Sequence, residues 1–134
     1  MDRGGIPLTV LQSGANRHDS MMFEVVVDAV EPVKGRGRGR PKKRPEKLHA
    51  DKAYDSKRCR KALSERGIKV RIARKGVESS ERLGRYRWVV ERTISWLHRN
   101  RRLSVRYERR DDIHQAFLDM GCAMICWNRL SRLC

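Results

Sequence analysis

Two carboxylates stand out by the residues around them. Glu91 lies in the run "RYRWVVERTISWLHRNRR", residues 85–102, with arginine on nearly every side. At helical spacing its neighbours include Arg87, Ser95, His98 and Arg102, a polar and basic stripe holding one acid. Val89, Val90, Thr93, Ile94, Trp96 and Leu97 form the other side. Asp51 closes the short run "KLHAD", a strand candidate, and ligands and metals gather at the carboxyl ends of strands in α/β sheets. Each residue has an ordinary reading. Glu91 can pair with Arg87 for a few tenths of a kcal/mol, and Asp51 can serve as a turn or cap residue. Taken together, one hard-oxygen ligand on a strand end and one on a later helix can converge on Mg²⁺ for phosphoryl transfer. Arg87, His98 and Arg102 would then supply cations to the phosphates.

The charge balance points to the same class of partner. Of 134 residues, 32 are Lys or Arg and 16 are Asp or Glu, a net charge of +16. Such an excess predicts a polyanion, above all nucleic acid, with a ribosomal-type RNA protein as the less specific alternative. The charge is concentrated in the segment 34–47, "KGRGRGRPKKRPEK", which holds eight basic residues and one acid, Glu46. Glycine and proline interrupt any regular element there. We therefore expect a mobile basic loop whose Arg36, Arg38, Arg40, Lys42, Lys43 and Arg44 lie along a phosphate backbone. A solvated insert is the plainer alternative.

The elements that must position these residues read as follows. Ile6–Gln12 is a strand candidate entered from a turn at Gly4–Gly5. Ser20 can cap a helix over Met21–Val30, although the valine triplet Val25–Val27 also suits a strand. After the basic loop comes the strand ending at Asp51, then a helix capped by Asp55 or Ser56 and stopped by Gly67. "IKVRIAR" alternates apolar and basic residues as a half-buried strand does. The Glu91 helix should start near Leu83 or Arg85 and fade around Arg101. In the last helix Asp112 and Gln115 have capping-box spacing. There Ile113, Phe117, Met120, Met124 and Trp127 recur at helical spacing, which predicts a largely buried element. Strands alternating with helices argue for an α/β layer architecture in one domain.

Other classes are disfavoured. The cysteines Cys59, Cys122, Cys126 and Cys134 form no C-x-x-C pair and have no histidine at zinc-finger spacing. Cys122 and Cys126, four apart in an apolar run, read as buried free thiols, and the chain reads as a protein of a reducing cytosol. No apolar run is long enough for a membrane span, and the first residues do not read as a signal peptide. Trp88, Trp96 and Trp127 fall in apolar helical stretches and read as core or interface.

"ADKAYDS", then "RGIKVRIARKG", then "LGRYRWVVERTISWLHRNRRLSVRYER" resemble the C-terminal half of bacterial insertion-sequence DDE transposases. "ANRHDS", "GRPKKRPEKLHADKAYDS" and "DIHQAFLDMGCAMICWNRL" extend the likeness over nearly the whole chain. The resemblance implies an RNase H-like fold and a cytoplasmic, nucleoid-associated enzyme of cut-and-paste or related transposition. It implies Mg²⁺ as cofactor, and transposon ends and target DNA as partners. Asp51 matches the second catalytic aspartate, Glu91 the catalytic glutamate, and Arg87 the arginine four residues before it. Tyr86 is out of register with the signature tyrosine, which would fall at Gly84, and His98 stands where lysine is common. The family's first aspartate lies on a strand upstream of a "GGIPL"-like turn. This sequence is therefore expected to be a C-terminal portion lacking that strand, with weak or no strand transfer alone. An N-terminal half supplied separately, or a homo-oligomer, would complete it. The alternative is an inactive remnant that only binds nucleic acid.

Overall fold

A computed structural model describes residues 1–35, 38–74, 76 and 80–132, without the side chains of 80–87. Helices accompany a small parallel sheet in the order α1 (Asp19–Asp28), β1 (Lys47–Ala50), α2 (Lys57–Glu65), β2 (Lys69–Ile72), α3 (Ser80–His98), α4 (Arg101–Ser104) and α5 (Asp111–Leu130). This is the mixed α/β class expected. The chain divides into two compact units, residues 13–83 and residues 1–12 with 84–134.

The first unit is a β–α–β layer with α1 added. Two parallel strands need a crossover longer than a tight turn, and α2 supplies it. The register pairs Lys47 with Lys69, Leu48 with Val70, His49 with Arg71 and Ala50 with Ile72. Because successive strand side chains point to opposite faces, one face carries Leu48, Ala50, Val70 and Ile72. Those residues join a core of Phe23, Cys59, Leu63, Ile68 and Ile72, with Leu63 0% exposed. Cys59, Ala62 and Leu63 are buried at the i, i+3, i+4 spacing of an amphipathic helix. Ser56 caps α2 by accepting from the Cys59 amide at 3.2 Å, and Gly67, at φ +68°, takes the left-handed turn that ends it. Both agree with the sequence. α1 also forms, but its cap lies two residues before the expected one: His18 is the N-cap, and Nδ1 accepts from the Ser20 amide at 3.3 Å.

In the second unit several expectations give way. Residues 6–12 form no strand. The side chain of Gln115 takes the place of a neighbouring strand, accepting from the Gln12 amide and donating to the Val10 carbonyl, both at 3.1 Å. Gln115 is thus not the second half of a capping box. Arg110 is the N-cap of α5 and holds Asp112 by a double hydrogen bond. α3 starts at Ser80, earlier than expected, and stops at His98, with Asn100 as N-cap of the short α4. The largest difference lies in α5. Of its apolar stripe, Ile113, Met120, Met124 and Trp127 are exposed, Trp127 by 71% and Met120 by 61%. Gly121 and Ile125 are its buried residues. A Cβ on Gly121 would sit 2.7 Å from Leu103 and 3.1 Å from Leu97, so glycine is what lets α5 approach α3 and α4 closely. Cys122 and Cys126 are half-buried rather than buried, and Cys59 is buried; these three thiols are free.

Candidate functional site

Asp51 follows directly on β1, at its carboxyl end. Its backbone stays extended, with ψ 165°, and its Oδ1 accepts from the Lys52 amide at 2.6 Å to cap a 3₁₀ turn over Lys52–Tyr54. The cap reading of the sequence holds here: the amide fixes one oxygen's direction while the residue stays exposed. Tyr54 closes the turn against Phe23, ring centroids 5.4 Å apart. Burial pushes the Tyr54 phenol above its usual range, and the negative charges of Asp19, Cys59 and Asp51 add to the shift.

Glu91 is exposed on α3. Its helix is held from another side. Thr93, 2% exposed, donates to the Gly5 carbonyl at 2.8 Å and lies 3.0 Å from the Val89 carbonyl. Arg92 donates to the Gly4 carbonyl at 2.6 Å while its guanidinium stacks on Trp88 at 4.3 Å and on Trp96 at 4.8 Å. Asp2 Oδ1 accepts from the Gly4 and Ile6 amides, both at 2.8 Å, and so braces the turn. The geometry of the turn depends on Gly5, at φ +83°, where a Cβ would lie 2.8 Å from Thr93 Oγ1. Trp88 and Trp127 are exposed and Trp96 half-buried, so none of the three tryptophans is a core residue.

The expected cations are placed unevenly. Arg36 lies outside the described residues, as does the side chain of Arg87. His98 is exposed at the last position of α3, where positive charge suits the helix end. Arg102 is exposed yet committed: Nη1 donates to Glu108 at 2.6 Å and the guanidinium stacks on Phe117 at 5.2 Å. Glu108 is 6% exposed, and the Arg102 hydrogen bond holds its carboxyl below the usual carboxylate range against the opposing effect of burial. Its other oxygen faces His114 Nδ1 at 3.6 Å, past hydrogen-bond length. Arg38, Arg40, Lys42, Lys43 and Arg44 are exposed. The basic segment is closed at its base by an antiparallel pair, Val33 with Lys42, exchanging hydrogen bonds of 2.9 and 3.0 Å. Arg44 also donates to the Arg66 carbonyl at 3.2 Å.

Sequence reasoning missed the Arg92–Thr93 clasp and the Glu108 pair. An arginine flanked by tryptophans four residues to either side is a signal for the first. Nothing local marks the second. Among the described residues no three His, Cys, Asp or Glu side chains gather as a metal site. Asp51 and Glu91 are nonetheless hard, exposed oxygen donors of the type Mg²⁺ prefers. No described helix is long and apolar enough to cross a membrane.

A transposase DDE domain model matches residues 1–127. Over 131 residues, 98% of this chain, the sequence is 50% identical to a protein assigned as the transposase for insertion sequence element IS402 of Burkholderia cepacia. The chain spans 62% of that relative's length. No solved structure matches. A match of this extent, joined to that identity, makes the chain a member of the transposase DDE domain family.

Proposed function

We propose that the chain is the C-terminal portion of an RNase H-like transposase catalytic domain, binding transposon-end and target DNA for metal-dependent phosphoryl transfer. Asp51 and Glu91 would hold the divalent ion, Mg²⁺ by the chemistry of the donors. When bound, the ion stabilises charge on the phosphoryl oxygens. The chain's own contribution is positioning. The Lys52 amide orients Asp51, and the clasp of Arg92 and Thr93 on the Gly4–Gly5 turn fixes the helix that carries Glu91. His98, Arg38, Arg40, Lys42, Lys43 and Arg44, with Arg36 and Arg87, would neutralise phosphates. Arg102 would take part through the face that Glu108 leaves open. A further stretch of transposase sequence, or a second copy, would complete the ligand set, and the work would take place at the bacterial nucleoid.

The observation that carries this reading is the family match over residues 1–127, with Asp51 placed at the carboxyl end of β1. A second reading, an inactive remnant that only binds nucleic acid, is supported by the net charge of +16, which calls for a polyanion but for no chemistry. Labelled insertion-sequence ends with Mg²⁺ and purified protein decide between them. Asp51→Ala and Glu91→Ala should each abolish the weak metal-dependent nicking and joining while leaving DNA affinity intact. Unchanged metal-dependent behaviour in both variants would rule out the enzymatic reading for this chain.

A further inference from the structure

We infer that the solvent face of the β1–β2 pair is a second nucleic-acid site, which grips the phosphate backbone of duplex DNA through Lys47, Lys69 and Arg71. The inference rests on the DNA-binding reading above and assigns it a surface outside the basic loop. The parallel register sets Lys47 against Lys69 and His49 against Arg71, and all four residues are exposed. Neighbouring strands lie about 4.8 Å apart and same-face residues about 6.6 Å apart along a strand. Every outward position of the ladder is therefore a basic residue within one small patch. Like charges set opposite each other in a ladder weaken it. The core is built entirely from the other face, so these cations contribute nothing to the fold that would offset the repulsion.

Several cations elsewhere in the unit are paired. Arg58 pairs with Glu24 at 2.7 Å, Arg60 with Asp55 at 2.7 Å, Arg66 with Asp28 at 2.6 Å and Lys61 with Glu65 at 3.8 Å. Lys47, Lys69 and Arg71 enter no ion pair among the described residues. A polyanion laid across the patch relieves the repulsion and gains charge-assisted contacts. The patch also has a direction. The basic segment ending at Arg44 leads into β1, and Asp51 continues the alternation of Lys47 and His49. A backbone held by the loop and the sheet is thus delivered to the carboxylate proposed to act on it.

The test is fluorescence anisotropy of a labelled duplex of arbitrary sequence, titrated at several salt concentrations. The triple variant Lys47→Gln, Lys69→Gln, Arg71→Gln should bind at least about tenfold more weakly near physiological salt, with the log–log salt slope reduced by about 2 to 3. A control with equal loss of charge on α2, Lys57→Gln, Arg58→Gln, Lys61→Gln, should bind within about twofold of wild type. Equal weakening in the two triples would overturn the inference and leave the DNA-binding reading standing. A wild-type chain that binds no duplex would overturn both. Lysine acylation of the wild-type chain, read by mass spectrometry, gives an answer independent of the variants' folding. Bound duplex should protect Lys47 and Lys69 and leave Lys57 and Lys61 reactive; the reverse pattern would overturn the inference.

Discussion

The unit of residues 13–83 and the helical unit with α5 use apolar residues in opposite ways. In the first, modest alternation in two four-residue strands and one amphipathic helix produces a closed core around Leu63. In the second, the longest apolar stripe of the chain leaves Met120, Met124 and Trp127 exposed. Polar contacts fasten this unit: Thr93 and Arg92 on the Gly4–Gly5 turn, Gln115 on Val10 and Gln12, and Arg102 on Glu108. Periodicity thus identifies which face of a helix is apolar. Whether that face is covered depends on what packs against it, and the stripe alone does not contain that information.

The contrast can be broken by substitution. Leu63→Ala should have the largest effect, about 2–5 kcal/mol of lost stability by urea unfolding, because the side chain is fully enclosed and leaves a cavity. A cost below that range would mean the core of residues 13–83 is looser than its burial indicates. Gly5→Ala should come next, at about 1–3 kcal/mol, since alanine is strained at φ +83° and its Cβ meets Thr93 Oγ1. Thr93→Val should cost a similar amount, about 1–3 kcal/mol, by leaving the buried Gly5 carbonyl without its donor. If Thr93→Val were neutral, the polar fastening of α3 would be incidental.

The Glu108 pair gives a pH dependence of known sign. Its folded-state carboxyl is held below the ordinary range by Arg102, so the stability it contributes is present above the unfolded carboxylate range. That stability is lost as pH falls through the lowered value. Thermal melts from neutral to acid pH should show wild type losing more stability than Glu108→Gln; parallel curves would remove the pair from the account. The smallest effect is expected on the exposed stripe. Met120→Ser and Trp127→Ser should each change stability by no more than about 0.5 kcal/mol, as isolated surface substitutions do. A loss of several times that would show that α5 is covered in solution.

How far the sequence revealed this molecule differs by element. The β1–α2–β2 unit was legible because Ser56, Gly67 and the alternation in "IKVRIAR" are local signals that packing reinforces. Asp51 was legible for the same reason, at the junction of a strand and a turn. The supposed strand at residues 6–12 was misread because alternation predicts a strand only where a neighbour supplies the ladder, and here Gln115 supplies side-chain bonds instead. The Asp112–Gln115 capping box failed on the same residue, drawn into a contact more than 100 positions away in the chain. The basic patch was half legible: each strand's alternation was visible, but only the register brings Lys47 to Lys69 and His49 to Arg71.

Iron-mediated cleavage of the polypeptide is the most direct test of the proposal that Asp51 and Glu91 bind one divalent ion together. Fe²⁺ replacing Mg²⁺, with ascorbate and peroxide, cuts the chain beside the bound ion. A shared ion gives two cuts in wild type, one near residue 51 and one near residue 91, both suppressed by excess Mg²⁺ and both lost in either Asp51→Asn or Glu91→Gln. Cuts that vanish one at a time, each with its own substitution, or cuts at neither position, would contradict it.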